Sequence, residues 1–99
     1  MDFDWNPANI EHIARHGVAP EEAEQVIQNN PLDAPAEFRN GEKRTVNLGK
    51  TDAGRVLIVV VTERNSMYRV VTARPAKKKE RAIYSKHKAA TNDQDTTDP

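Results

Sequence analysis

Residues 55–88 read RVLIVVVTERNSMYRVVTARPAKKKERAIYSKHK, and this stretch decides the fold. Arg55 to Thr62 is a dense β-branched run, the pattern of a central strand buried on both faces. Arg64-Asn65-Ser66 is a turn, and Met67 to Arg74 is a second strand. Pro75 breaks that strand, and Ala76 to about Lys88 has helical propensity throughout, with Ala82 and Ile83 as its few apolar anchors. Upstream, Lys43 to Gly49 alternates as a half-buried strand, and Thr51-Asp52-Ala53-Gly54 turns the chain into the central one. Turns this short favour an antiparallel meander.

The N-terminal third reads as helices. Phe3 and Trp5 alternate with acids, as in a very short edge strand. Asn6 is a good N-cap with Pro7 at N1; Ile10, Ile13 and Ala14 make an apolar stripe, and Gly17 is a stop signal. Pro20 opens a second helix whose Glu21, Glu22 and Glu24 suit the positive end of its dipole. Ala23, Val26 and Ile27 form its buried stripe, and Asn29-Asn30-Pro31 ends it. A polar loop with Pro35 and Asn40-Gly41 is expected next. The expected architecture is α+β: two N-terminal helices, an antiparallel sheet of three to four strands, and a C-terminal basic helix. Residues 1–88 make one domain, and the polar, patternless residues 89–99 are expected to be a disordered acidic tail.

The chain has no cysteine, so disulfide and thiolate chemistry are excluded and a reducing cytosol fits. Its N-terminus MDFDWNP has neither a basic nor an apolar signal region, and its longest apolar run, Val56 to Val61, is too short to span a membrane. A cytoplasmic location without membrane contact is the expectation. The formal net charge of zero conceals segregation. Residues 1–38 hold one base and eight acids; residues 39–90 hold fourteen bases and four acids, a balance of +10; residues 91–99 hold three acids. The natural partner of such a basic region is a polyanion, with RNA or DNA first.

Arg64, Arg69 and Arg74 lie close in sequence, and Lys77, Lys78 and Arg81 follow on the helix with Tyr84. If that helix packs on the sheet, its bases flank the strand arginines, and Tyr84 is available to stack on a nucleobase. Strict alternation puts Met67, Arg69, Val71 and Ala73 on one face and Tyr68, Val70, Thr72 and Arg74 on the other. Cleaving RNA requires deprotonation of a 2′-hydroxyl, stabilisation of a pentacoordinate phosphate and protonation of the leaving 5′-oxygen. Bidentate arginines suit the second task, and two arginines converging on one end of the sheet favour a functional role for Arg74 over a strand cap. Glu63 or His16 suits the base, and a histidine or tyrosine the acid. No metal is needed, because the substrate carries its own nucleophile, and no cofactor is expected. His12 and His16 have an i, i+4 spacing that two metal ligands use, but no third ligand is evident.

Each of these residues also has a plainer role. Arg64 suits a hairpin turn, Arg69 a cross-strand pair with Glu63 or Glu42, Glu63 a neighbouring arginine, the lysines a solvated helix face, and Trp5 and Tyr84 the core. The plainest alternative function is a non-catalytic module that binds RNA or a protein partner.

Two blocks carry a resemblance. FDWNPANIEHIARHGVAPEEAEQVI resembles the opening of the BrnT-type toxins, and TER followed by YRVVTARPAKKKERAIY resembles their central strand and basic helix. Together they span roughly residues 3–84. Arg15 stands where the family usually has lysine, Pro20 where it often has phenylalanine, and Thr72 where it often has serine. The resemblance implies a RelE-like ribonuclease fold, growth arrest through RNA cleavage without a cofactor, and neutralisation by a BrnA-type antitoxin. It also implies operator-DNA binding only through that antitoxin. By position, Arg64 and Arg74 match the arginines expected to be functional, and Glu63 is the weaker third.

Overall fold

The computed structural model describes residues 2–35 and 42–96. The elements run β1 (Asp2–Phe3), α1 (Pro7–Ala14), α2 (Pro20–Gln28), β2 (Leu32–Pro35), β3 (Arg44–Lys50), β4 (Val56–Arg64), β5 (Met67–Pro75) and α3 (Lys78–Thr96). They form an α+β molecule around one five-stranded sheet of order β1-β5-β4-β3-β2. β4 is central, as its β-branched run requires, and Leu57, Ile58 and Val59 are buried on alternate faces.

Local chemistry accounts for the helix starts. The Asn6 side-chain carbonyl accepts from the Asn9 backbone N–H at 2.9 Å, and Pro7 supplies the preset φ of the first turn. Gly17, at φ 74°, takes the left-handed conformation that stops α1. α2 begins at Pro20 after Ala19, which has no capping oxygen; Glu22 reaches back instead to the Ala19 N–H at 3.0 Å.

The sheet separates two cores. On one face, Ile13, Val18, Ala23 and Val26 of the α1–α2 region pack on Leu57, Val59, Val61, Val70 and Ala73. On the other, Tyr84 and Ala76 pack with Leu48 and Ile58, beside Val46, Val56 and Val60. Lys88 Nζ donates to the Asn30 carbonyl at 3.4 Å, and Asn29 Nδ2 donates to the Lys50 carbonyl at 3.0 Å. α3 is thereby tied to the Lys50 end of β3, away from Arg44.

Four expectations are corrected. The sheet has five strands, not three or four, and it is mixed, because β1 pairs β5 in parallel. The first part of the expected loop is strand β2, with Leu32 opposite Leu48 and Pro35 opposite Thr45. β2 is an edge strand among the described residues, a position that tolerates a proline, which has no backbone N–H to give to a ladder. The later part, 36–41 with Asn40-Gly41, lies outside the described residues. α3 begins at Lys78 rather than Ala76 and continues past Lys88 to Thr96; residues 97–99 lie outside the described residues.

The fourth correction positions the site. Val60 is opposite Thr72 but Val61 is opposite Val70, so Val71 is an extra residue in β5. This bulge breaks the alternation. Val70 and Ala73 both enter the helix α1–α2 core. Arg69, opposite Thr62, and Arg74, opposite Ile58, therefore share the α3 face instead of lying on opposite faces.

Candidate nucleic-acid interface

The β4–β5 hairpin closes through Asn65 and Ser66, both at positive φ (53° and 63°), the geometry of a two-residue primed turn. It fixes Arg64 opposite Met67 at the tip. Arg64 is exposed, with no hydrogen bond or ion pair among the described residues. Arg74 sits at the far end of the hairpin opposite Ile58. Strand rise puts the two arginines roughly 20 Å apart, so they do not converge on one sheet end as the sequence reading supposed.

Arg74 is also engaged. Its Nη1 and Nη2 donate to Glu80 Oε1 and Oε2, each at 2.8 Å, and Nη1 reaches the Pro75 carbonyl at 3.1 Å. Glu80 Oε1 also accepts the Lys77 backbone N–H at 2.7 Å, closing the first turn of α3. The hydrogen bonds from Arg74, then that from Lys77, hold the Glu80 carboxyl at a pKa of about 2, and the same pairing raises that of Arg74.

Arg69 pairs with neither Glu63 nor Glu42. Its Nη2 donates to Asp4 Oδ2 at 2.9 Å, in the segment just after β1. Glu63 is opposite Tyr68 on the other side of the sheet. There both line an open cleft of about 810 Å³ with Ile27, Thr45, Asn47 and Val61. His16, just beyond α1, is exposed, and its ring contacts that of His12 at 5.5 Å. His12 Nε2 lies 3.0 Å from Thr72 Oγ1. His16 and Glu63 thus belong to separate places: Glu63 shares its cleft with Arg64 at the hairpin, whereas His16 is brought to none of the strand arginines.

On α3, Lys78 and Arg81 are exposed, as is Lys77 just before it, and Arg81 Nη1 donates to the Ala76 carbonyl at 2.8 Å. Tyr84 is only 3% exposed, packed on the sheet with Lys88 Nζ 5.7 Å from its ring centre. Its core role prevails, and burial removes the ring from any surface on which a base would stack. No group of three or more His, Cys, Asp or Glu side chains suited to a metal ion occurs among the described residues. No helix among them is long and apolar enough to cross a membrane.

The outcome is a sheet face with two halves. α3 covers the apolar half around Ile58 and Val60. The half toward the hairpin tip carries Arg44, Thr62, Arg64 and Arg69. Sequence reading missed Arg44, Asp4 and Glu80. For Glu80 a signal existed, since a first-turn glutamate is a capping group; for Arg44 only the strand register reveals the neighbours.

A family model described as the ribonuclease toxin BrnT of type II toxin–antitoxin systems matches residues 5–80. The chain belongs to the BrnT family. A comparison with curated proteins gives no match. The matched span contains α1, α2, every strand from β2 to β5, and the start of α3 including Glu80. The basic face and the Arg74–Glu80 pair thus both lie inside the BrnT region of the chain.

The pair gives this BrnT chain an acid-sensitive joint between β5 and α3. The Glu80 pKa is depressed from 4.5 to about 2, so its stabilisation is complete above the ordinary value and is lost as pH falls from about 4.5 to about 2. The carboxylate is a quarter exposed, and screening reduces the contribution to about 1–2 kcal/mol. Glu80→Gln is expected to lower the thermal midpoint at neutral pH by several degrees and to flatten its acid dependence. Parallel melting curves across that range for native and variant chains check it; parallel slopes would show that Glu80 is not the titrating group.

Proposed function

We propose that this chain is a single-domain RelE-like toxin that cleaves RNA internally without a metal ion or cofactor in the cytoplasm. The observation that carries the reading is the basic half-face around Arg64 and Arg69, left open by α3 in a member of a ribonuclease toxin family. RNA backbone lies along this face from Arg64 past Arg69 toward Arg74, with Lys77, Lys78 and Arg81 on its flank. Arg64, whose guanidinium is free of partners among the described residues, stabilises the pentacoordinate phosphate. Arg74 takes part once phosphate displaces Glu80 from it. Glu63, at the hairpin beside Arg64, is the better-placed base, and His16 the more distant candidate. A BrnA-type antitoxin neutralises the toxin and makes the operator-DNA contacts.

The second reading is a module that binds RNA or antitoxin without cutting. Two observations favour it: Arg74 is locked to Glu80, and His16 lies apart from the strand arginines.

The deciding assay incubates purified RNA with the isolated chain in EDTA, beside a folded Arg64→Ala/Arg74→Ala variant. Cleavage by the native chain alone is the expected result. Intact RNA in both, with salt-sensitive binding retained, selects the second reading; equal cleavage by both removes the arginines from the chemistry.

A further inference from the structure

One cross-strand row on the open half-face has an unfilled hydrogen-bonding requirement. Thr62 of β4 is opposite Arg44 of β3 on one side and Arg69 of β5 on the other. Registered partners project to the same face, so two arginines flank one threonine, their Cα atoms roughly 10 Å apart at ordinary strand spacing. Both side chains are partly buried, at 28% and 31% exposure. Yet Nε of Arg44 and Nε of Arg69 are both inaccessible to solvent and have no hydrogen-bond acceptor among the described residues.

An unpaired buried donor is costly, and a charged one more so. Two in one row on one face point to a missing acceptor, which the guanidinium groups meet by turning, since neither Nε is open to solvent as the side chains stand. The neighbouring carboxylates do not fill it. Glu42 Oε1 stands 3.9 Å from Arg44 Nε, too far for a hydrogen bond. Asp4 takes only Nη2 of Arg69. Thr62 donates its hydroxyl hydrogen to the Lys43 carbonyl at 2.8 Å and is 3% exposed, so it forms the floor between the arginines and offers no donor of its own. Arg64, further along β4 on the same face, adds positive field without a competing partner among the described residues.

We infer that Arg44 and Arg69, set across Thr62, form a binding site for a tetrahedral oxyanion. A planar carboxylate matches the fork of one guanidinium; an acceptor with oxygens in several directions satisfies two that approach from opposite sides. On the function proposed above, on which this assignment of the natural ligand rests, the oxyanion is a backbone phosphate of the RNA. Asp4 competes with it for Arg69.

The probe is inorganic phosphate, titrated into the full chain while the Nε–Hε signals of Arg44 and Arg69 are followed by NMR. Both signals are expected to shift together and saturate. Arg44→Gln and Arg69→Gln should each weaken phosphate binding roughly tenfold, the worth of one charge-assisted hydrogen bond. Asp4→Asn should tighten it, an outcome that a damaged fold does not produce. Arg44→Lys keeps the charge but loses the fork, and should bind less tightly than native. Unshifted Nε signals, or Gln variants that bind phosphate as the native chain does, would overturn the site. RNA cleavage measured in parallel separates the two ideas. Phosphate binding without cleavage leaves the site standing and removes the nuclease; native cleavage with no phosphate response does the reverse.

Discussion

Truncating Leu57 to alanine is expected to destabilise the fold by about 3–5 kcal/mol and to lower the thermal midpoint by about 15–30 °C. Leu57 is fully buried in the core under α1 and α2. Its register partners are Gly49 on β3 and Pro75 on β5. Neither can reach across to fill the space a leucine leaves. Gly49 cannot be enlarged cheaply either, since a Cβ there would stand 3.1 Å from Pro31 Cβ and 3.2 Å from Val26 Cγ1. A site that cannot collapse sits at the costly end of the large-to-small range. A domain this small has only about 5–15 kcal/mol in total, so the variant would be close to unfolding at growth temperature. Leu57→Met, which keeps the volume, should lose less than about 1.5 kcal/mol. Denaturant titration of both variants gives the answer; a Leu57→Ala loss below about 1 kcal/mol would mean that the core rearranges around the gap.

The helices and the central strand were legible because their signals are local. Asn6-Pro7, Gly17, Pro20 and the run Val56–Val61 each act through their own backbone or side-chain chemistry. β2 was not legible, because Leu32-Asp33-Ala34-Pro35 has no strand pattern of its own and becomes a strand through its pairing with Thr45–Leu48. The bulge at Val71 was hidden for a related reason. Val70, Val71 and Thr72 are all β-branched and fit a strand in either register; the choice falls to the two cores, which take Val70 and Ala73 on one side and Val60 on the other. That one residue decides the site, since it moves Arg74 onto the face of Arg69. The sequence named Arg64, Arg69 and Arg74 and the segments that carry them, but not Arg44. It could not name Asp4 or Glu80 as their partners, nor distinguish a stacking Tyr84 from a buried one, because basic and apolar positions are interleaved between Lys78 and Lys88 of helix α3.

Arg64 and Arg74, paired by sequence position, are expected to separate on mutation. Arg64→Ala removes a guanidinium that no described residue holds, so stability should change by no more than about 0.5 kcal/mol. If Arg64 stabilises the phosphate in the transition state, cleavage should fall about 10²–10³-fold with RNA binding only modestly weakened. Arg74→Ala breaks a bidentate pair and strands Glu80, so its first effect is on stability, about 1–2 kcal/mol. The same loss should appear in Glu80→Gln, and the Arg74→Ala/Glu80→Gln double variant should lose little more than either single, because both remove one interaction. At roughly 20 Å separation, by contrast, Arg64 and Arg74 share no partner, and their effects on cleavage should multiply. A double variant no worse than Arg64→Ala alone would mean that the two act as one unit. That result would require β5 and α3 to move when RNA binds, with Glu80 released and Arg74 drawn toward the hairpin tip. Multiplicative losses would instead leave Arg64 alone beside the reacting phosphate and make Arg74 a holder of α3 whose contact with RNA lies further along the strand.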